Sequence, residues 1–167
     1  MTRKKWATGA FIISLSLLFV AGAIAAEGPP IKIGAMFICS GKVGGYGKHA
    51  EQAIKLAVDE INASGGILGR KLEATVKDTQ LKKDVMLEIA KKFVNEDKVD
   101  FLMGPTSSGL ALTEFAKEKK KILIATQAAD DALTGAKLHP YIYSTLSNAM
   151  MHARSGAYLL ASKPYKR

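Results

Sequence analysis

FLMGPTSS, residues 101–108, joins an apolar run to a sharp turn and then to a set of hydroxyls. Val99 and Phe101 to Met103 have the character of a short buried strand. Gly104 and Pro105 break it. Thr106, Ser107 and Ser108 then place hydroxyls where the next helix opens, and the first turn of a helix has N–H groups without internal partners. Strand, turn and helix start together make a ledge suited to an anion. In an open α/β sheet, such ledges lie beyond the carboxyl ends of the strands. The other strand-end loops are therefore expected along the same edge.

Working outward, Ile31–Ile38 is apolar at nearly every position, as a strand covered on both faces requires. A glycine-rich loop, SGKVGGYG (residues 40–47), follows it. Ala50, Ala53, Ile54, Ala57, Val58 and Ile61 keep a 3.6-residue period and predict a long helix, which NASGGILG (62–69) stops. Leu72–Lys77 alternates apolar and polar residues, the pattern of a strand near a sheet edge. Val85, Ile89, Phe93 and Val94 predict a second helix capped by Asp84. Residues 109–121 predict a third, with Leu110, Leu112, Phe115 and Ala116 turned inward. Ile122–Ala125 is a fourth strand, and Asp130 and Asp131 are expected to cap a short helix before Ala132 and Leu133. Tyr141–Tyr143 is a fifth strand, and a last helix runs from about 148 to 161.

Strands that alternate with helices call for an α/β fold: an open parallel sheet with helices on both faces and right-handed crossovers. The chain of 167 residues stops where another parallel strand is due. It is expected to be an N-terminal fragment, with residues 27–167 forming an incomplete domain.

Arg3, Lys4 and Lys5 precede an apolar stretch, Phe11–Val20, and Ala23-Ile24-Ala25 offers a small-residue exit. Residues 1–26 read as a cleavable secretory signal peptide. Its removal takes three cations and no acid, lowering the net charge from +9 to +6. The remaining charge lies along helices and forms no aromatic-bearing basic patch, so no nucleic-acid partner is expected. The KEKKK run at 117–121 reads as cations favoured at a helix C-terminus. Cys39 is the sole cysteine, and His49, His139 and His152 show no ligand spacing. No metal site or cofactor is expected.

Gly45, Gly47 and Ala50 satisfy G-x-G-x-x-A, and Asp78 ends the next strand, so a dinucleotide-binding enzyme domain is an alternative. The spacing is poor: Asp78 stands 33 residues past Gly45, against about 20 in that motif. Ser107 and Ser108 lack a convincing histidine partner for nucleophilic chemistry and read better as ligand-binding hydroxyls. Tyr46, in a glycine-rich loop with little local core, reads as a pocket wall.

The segments IKIGAMFICSGKVGGYG, AIKLAVDEINASGGILGRKLE, KDTQ, VDFLMGPTSSGLAL and ILIATQAADDALTG together resemble one family. It is the periplasmic substrate-binding proteins of ABC importers, of the branched-chain amino acid and amide class. The resemblance covers Ile31–Arg167. It implies most of lobe one of a type I periplasmic binding protein, with the second lobe absent. It also implies a non-enzymatic role: capture of a small amino acid, amide or carboxylate in the periplasm, for delivery to a membrane permease. An extracellular receptor domain of the same fold is a further alternative. The residues matching the family's ligand site are Tyr46, Ser107, Ser108, Gln127, Ala128 and Ala129. The amino-acid binders carry a threonine where Ala129 stands.

An open sheet edge and uncovered apolar surface favour association. Residues 27–167 expressed alone are expected to aggregate or to form a loosely packed state. A sharp, reversible thermal melt of a monomer is the result that would contradict this.

Overall fold

Glycine at position 34 lets the chain's first helix-to-sheet contact form. The computed structural model describes residues 28–105 and 109–164. In it, β1 (Ile31–Phe37) places Gly34 beneath the ring of Phe93, and a Cβ on Gly34 would lie 2.5 Å from that ring. Phe93 belongs to α2 (Lys83–Asn95) and is 1% exposed. Around it, Met36, Met86, Ala90, Val99, Leu102, Leu112, Phe115, Ala116 and Leu123 form the core.

The remaining strands are β2 (Leu72–Asp78), β3 (Phe101–Met103), β4 (Ile122–Ala125) and β5 (Ile142–Ser144). They form one sheet in the order β2-β1-β3-β4-β5, and every neighbouring pair is parallel. The α/β open parallel sheet is thus realised. β2 is an edge strand, as its alternation predicts. The helices α1 (Gly45–Ala63), α2, α3 (Gly109–Lys119) and α4 (Ala149–Ala161) connect or follow the strands.

Register sorts the side chains between the two faces. Gly34, Met36, Leu102, Leu123 and Ile142 share the face covered by α2 and α3. Ile33, Phe101, Met103, Ile122 and Ile124 share the other, and all five are only half-buried. On that face α1 lies over β1 and β2, and an open groove of about 230 Å³ runs between Ile54, Val58, Ala74 and Val76. Its C-terminus is fastened by Asn62, whose side chain both donates to the Leu72 carbonyl (2.9 Å) and accepts from the Leu72 N–H (2.8 Å).

Several expectations shift. Ala53 and Ala57 are exposed, while Ile54, Val58 and Ile61 of the same helix are half-buried. Asp84 lies in the first turn of α2 and is not its cap; the N-cap is Lys82, which makes no side-chain capping bond. Leu110 points outward, while Leu112, Phe115 and Ala116 are buried as predicted. In α4 none of the 13 residues is buried, and Met150, Met151, Tyr158, Leu159 and Leu160 are exposed.

His139 is buried before β5 and ties it to α3. Its Nδ1 accepts from the Tyr141 N–H (3.2 Å) and its Nε2 lies 3.1 Å from the Thr113 carbonyl. Those two partners place the ring hydrogen on Nε2.

Truncating Phe93 to Ala removes the ring that fits over Gly34. Phe93→Ala is expected to cost about 3–5 kcal/mol, read as a lowered midpoint in urea unfolding followed by circular dichroism.

Candidate functional site

A parallel sheet delivers all its carboxyl ends to one edge, and the loops there are held by a small set of hydrogen bonds. The loop between β1 and α1 returns close to the strand it leaves. Gly47 donates its N–H to the Ile38 carbonyl at 3.0 Å, and a Cβ on Gly47 would collide with that same carbonyl. Tyr46, one residue earlier, is 63% exposed at this edge.

Asp78 anchors the loop from the neighbouring strand. Its Oδ1 accepts from the N–H of Cys39 and of Gln80, both at 2.9 Å, and Ser40 lies beside it. Burial acts to raise the carboxyl's pKa, but these hydrogen bonds outweigh it and hold the group below the ordinary aspartate value. Next to it, burial and then the charges of Asp78 and Glu51 push the Cys39 thiol up, with Lys48 opposing. A raised thiol is a poor nucleophile.

Beyond β4, Ala128 is buried and Ala129 half-buried. A Cβ on Gly109, the first residue of α3, would lie 2.9 Å from the Ala128 methyl. The loop after β4 therefore rests against the start of α3. Asp130 caps the 3-10 turn Asp131–Thr134 by accepting from the Ala132 N–H at 2.9 Å. Asp131 accepts from the Met150 N–H (2.8 Å), and the Ala149 N–H donates to the Ala129 carbonyl (2.8 Å). Asn148 caps α4 through Met151 and donates to the Thr134 hydroxyl. Both aspartates are thus caps, one for the short turn as expected and one for α4.

Tyr46, in the first turn of α1, and Gln127, Ala128 and Ala129, just past β4, all lie on the carboxyl side of the sheet. Ser107 and Ser108 lie outside the described residues. Gly109, which follows them in sequence, is the residue against which Ala128 packs. Among the described residues, no group of three or more His, Cys, Asp or Glu side chains could hold a metal ion, and no helix is long and apolar enough to cross a membrane.

A family model described as periplasmic binding protein matches residues 30–167. The chain belongs to the periplasmic binding protein family. Among curated relatives, a Leu/Ile/Val-binding protein of Rhizobium johnstonii is 32% identical over 106 residues, covering 62% of this chain and 29% of the relative. A leucine-, isoleucine-, valine-, threonine- and alanine-binding protein of Pseudomonas aeruginosa is 30% identical over 128 residues, covering 72% of this chain and 34% of the relative. Among solved structures, a branched-chain amino acid transporter substrate-binding protein of Streptococcus pneumoniae, in complex with isoleucine, is 33% identical with a TM-score of 0.65. It covers 71% of this chain, and the match spans 34% of that protein. A periplasmic ligand-binding protein of Burkholderia xenovorans is 28% identical with a TM-score of 0.72, over 81% of this chain and 37% of its own. This periplasmic binding protein chain spans about a third of the length of the relatives it matches.

Asp78 gives the dinucleotide alternative little support. In that fold the acid meets ribose hydroxyls, whereas here its Oδ1 takes the N–H groups of Cys39 and Gln80. Sequence reasoning missed this anchoring role and the Asn148–Thr134 link. The signal for the first was present, since an aspartate ends a strand beside the strand that opens the glycine-rich loop.

Because the folded-state pKa of Asp78 is depressed, its contribution to stability is present above the unfolded-state value of about 4. It is lost as pH falls through the lower folded-state value. Asp78→Asn is therefore expected to be the less stable protein at pH 6, with the difference shrinking toward pH 2. Urea midpoints of both proteins across that range check this.

Proposed function

We propose that this chain is the ligand-binding first lobe of a solute-binding protein that serves an ABC importer. It takes a small amino acid, amide or carboxylate and presents it to a membrane permease. The observation that carries this reading is the gathering of Tyr46 and the Gln127–Ala129 loop at one sheet edge, in a chain 33% identical to a relative holding isoleucine.

The chemistry follows from the residue types. Ser107 and Ser108, which precede α3 in sequence, carry hydroxyls that suit a carboxylate, and a helix N-terminus carries partial positive charge. Ala128 and Ala129 offer backbone groups and small size. Tyr46 supplies an amphipathic wall. A second lobe closing over this edge excludes water and strengthens those hydrogen bonds by lowering the local dielectric. Binding then shifts an open–closed equilibrium that the permease reads. No bond of the solute is made or broken in this scheme. Residues 1–26 serve as the export signal that brings the chain to the periplasm.

The test is a titration of the chain followed by amide chemical shifts, using L-isoleucine, L-leucine, L-valine, their amides and NAD. Shifts at residues 39–47, 109 and 127–131 with an amino acid or amide are expected. Affinity should be modest, because one lobe buries only part of a ligand. A response to NAD alone would overturn the reading.

A further inference from the structure

We propose that Asp78 is a positioning residue for the ligand site: its carboxylate fixes the β1–α1 loop so that Tyr46 stands at the carboxyl edge. This rests on the solute-binding reading above, and deepens it by naming a residue that touches no ligand.

Residues 38–44 are outside any strand or helix, and Gly41 has φ of 71°. Such a segment has many backbone courses open to it. Its end is pinned by the Gly47–Ile38 hydrogen bond, and Gly44 donates to the Gly41 carbonyl at 3.2 Å. Its start is pinned from another strand. Asp78 ends β2 opposite Phe37 in the register, the position from which a carboxylate reaches the two residues just past β1. It takes the Cys39 N–H at 2.9 Å, 39 residues away in sequence, with Ser40 beside it. The Gln80 N–H and the Thr79-to-Phe37 hydrogen bond (2.7 Å) hold the anchor itself in place.

Both backbone donors converge on one carboxylate oxygen. Charged acceptors make the stronger hydrogen bonds. Asparagine keeps one carbonyl oxygen for Cys39 and Gln80 but loses the charge. Alanine keeps nothing. A mere fold stabiliser and a loop-positioning residue differ in where their loss is felt.

The experiment compares the chain with Asp78→Ala and Asp78→Asn by residue-resolved amide exchange and by L-isoleucine titration. Exchange at Cys39 is expected to rise at least tenfold in Asp78→Ala, with Leu102 and Leu123 in the core unchanged. Isoleucine affinity is expected to fall by roughly tenfold, with Asp78→Asn recovering part of both effects. Exchange that rises equally in loop and core would overturn the proposal, as would unchanged Cys39 exchange or unchanged affinity beside a loosened loop. If Asp78→Ala does not fold, Asp78→Asn against the unaltered chain decides through the same local-versus-core comparison. An unaltered chain that takes up no isoleucine counts against the ligand reading alone, and the Cys39 exchange then decides the role of Asp78.

Discussion

The ring of Phe93 sits where Gly34 has no side chain, and this one close approach sets the depth at which α2 lies on the sheet. β1 is flanked by β2 and β3, so fixing a helix on β1 fixes it over the middle of the early sheet. α3 then packs beside α2, and Leu112, Phe115 and Ala116 close the core over Leu102 and Leu123. Any side chain at position 34 would lift α2 and open a gap along that whole seam. Interiors tolerate such gaps poorly, because packed atoms lose their partners together.

The two faces of the sheet are unequal. One is closed by α2 and α3; on the other, the apolar row from Ile33 through Phe101 and Met103 to Ile122 and Ile124 stays half-open. α4 is attached through its first turn, by the Ala129 carbonyl, the Asp131 carboxylate and the Asn148 cap. Its apolar residues find no core. The candidate site thus occupies the well-anchored edge of a structure whose second face is thinly covered.

Much of this architecture could be read from residue order. The apolar runs at 31–38 and 122–125 predict strands because a parallel sheet buries both faces of its inner members. The alternation at 72–77 predicts a strand with one face partly wet, which in a parallel sheet suits the edge, where helices cover least. What could not be read depends on contacts between distant segments. Asp84 looks like a cap by spacing, yet the chain enters α2 two residues earlier, through an extended Lys82. Leu110 keeps the period of an inner residue, yet α3 is rotated so that Leu112 and Phe115 take that role. Asp78 by sequence suits a ribose, a turn or a cap; only the arrival of Cys39 and Ser40 beside it decides among them. The hydroxyls at 107 and 108 predict a helix to follow, and one does start at Gly109; Ala128 comes into view only through a family likeness.

The contact between Ala128 and Gly109 constrains size and leaves chemical character open. A methyl at 128 already fills the space that a hydrogen at 109 leaves. At 128, any recognition therefore falls to the backbone amide and carbonyl. Scanning such a loop by replacement with alanine would return silence at 128 and 129, where alanine is the resident. Enlarging those positions, or exchanging an amide for an ester, would interrogate the groups that matter.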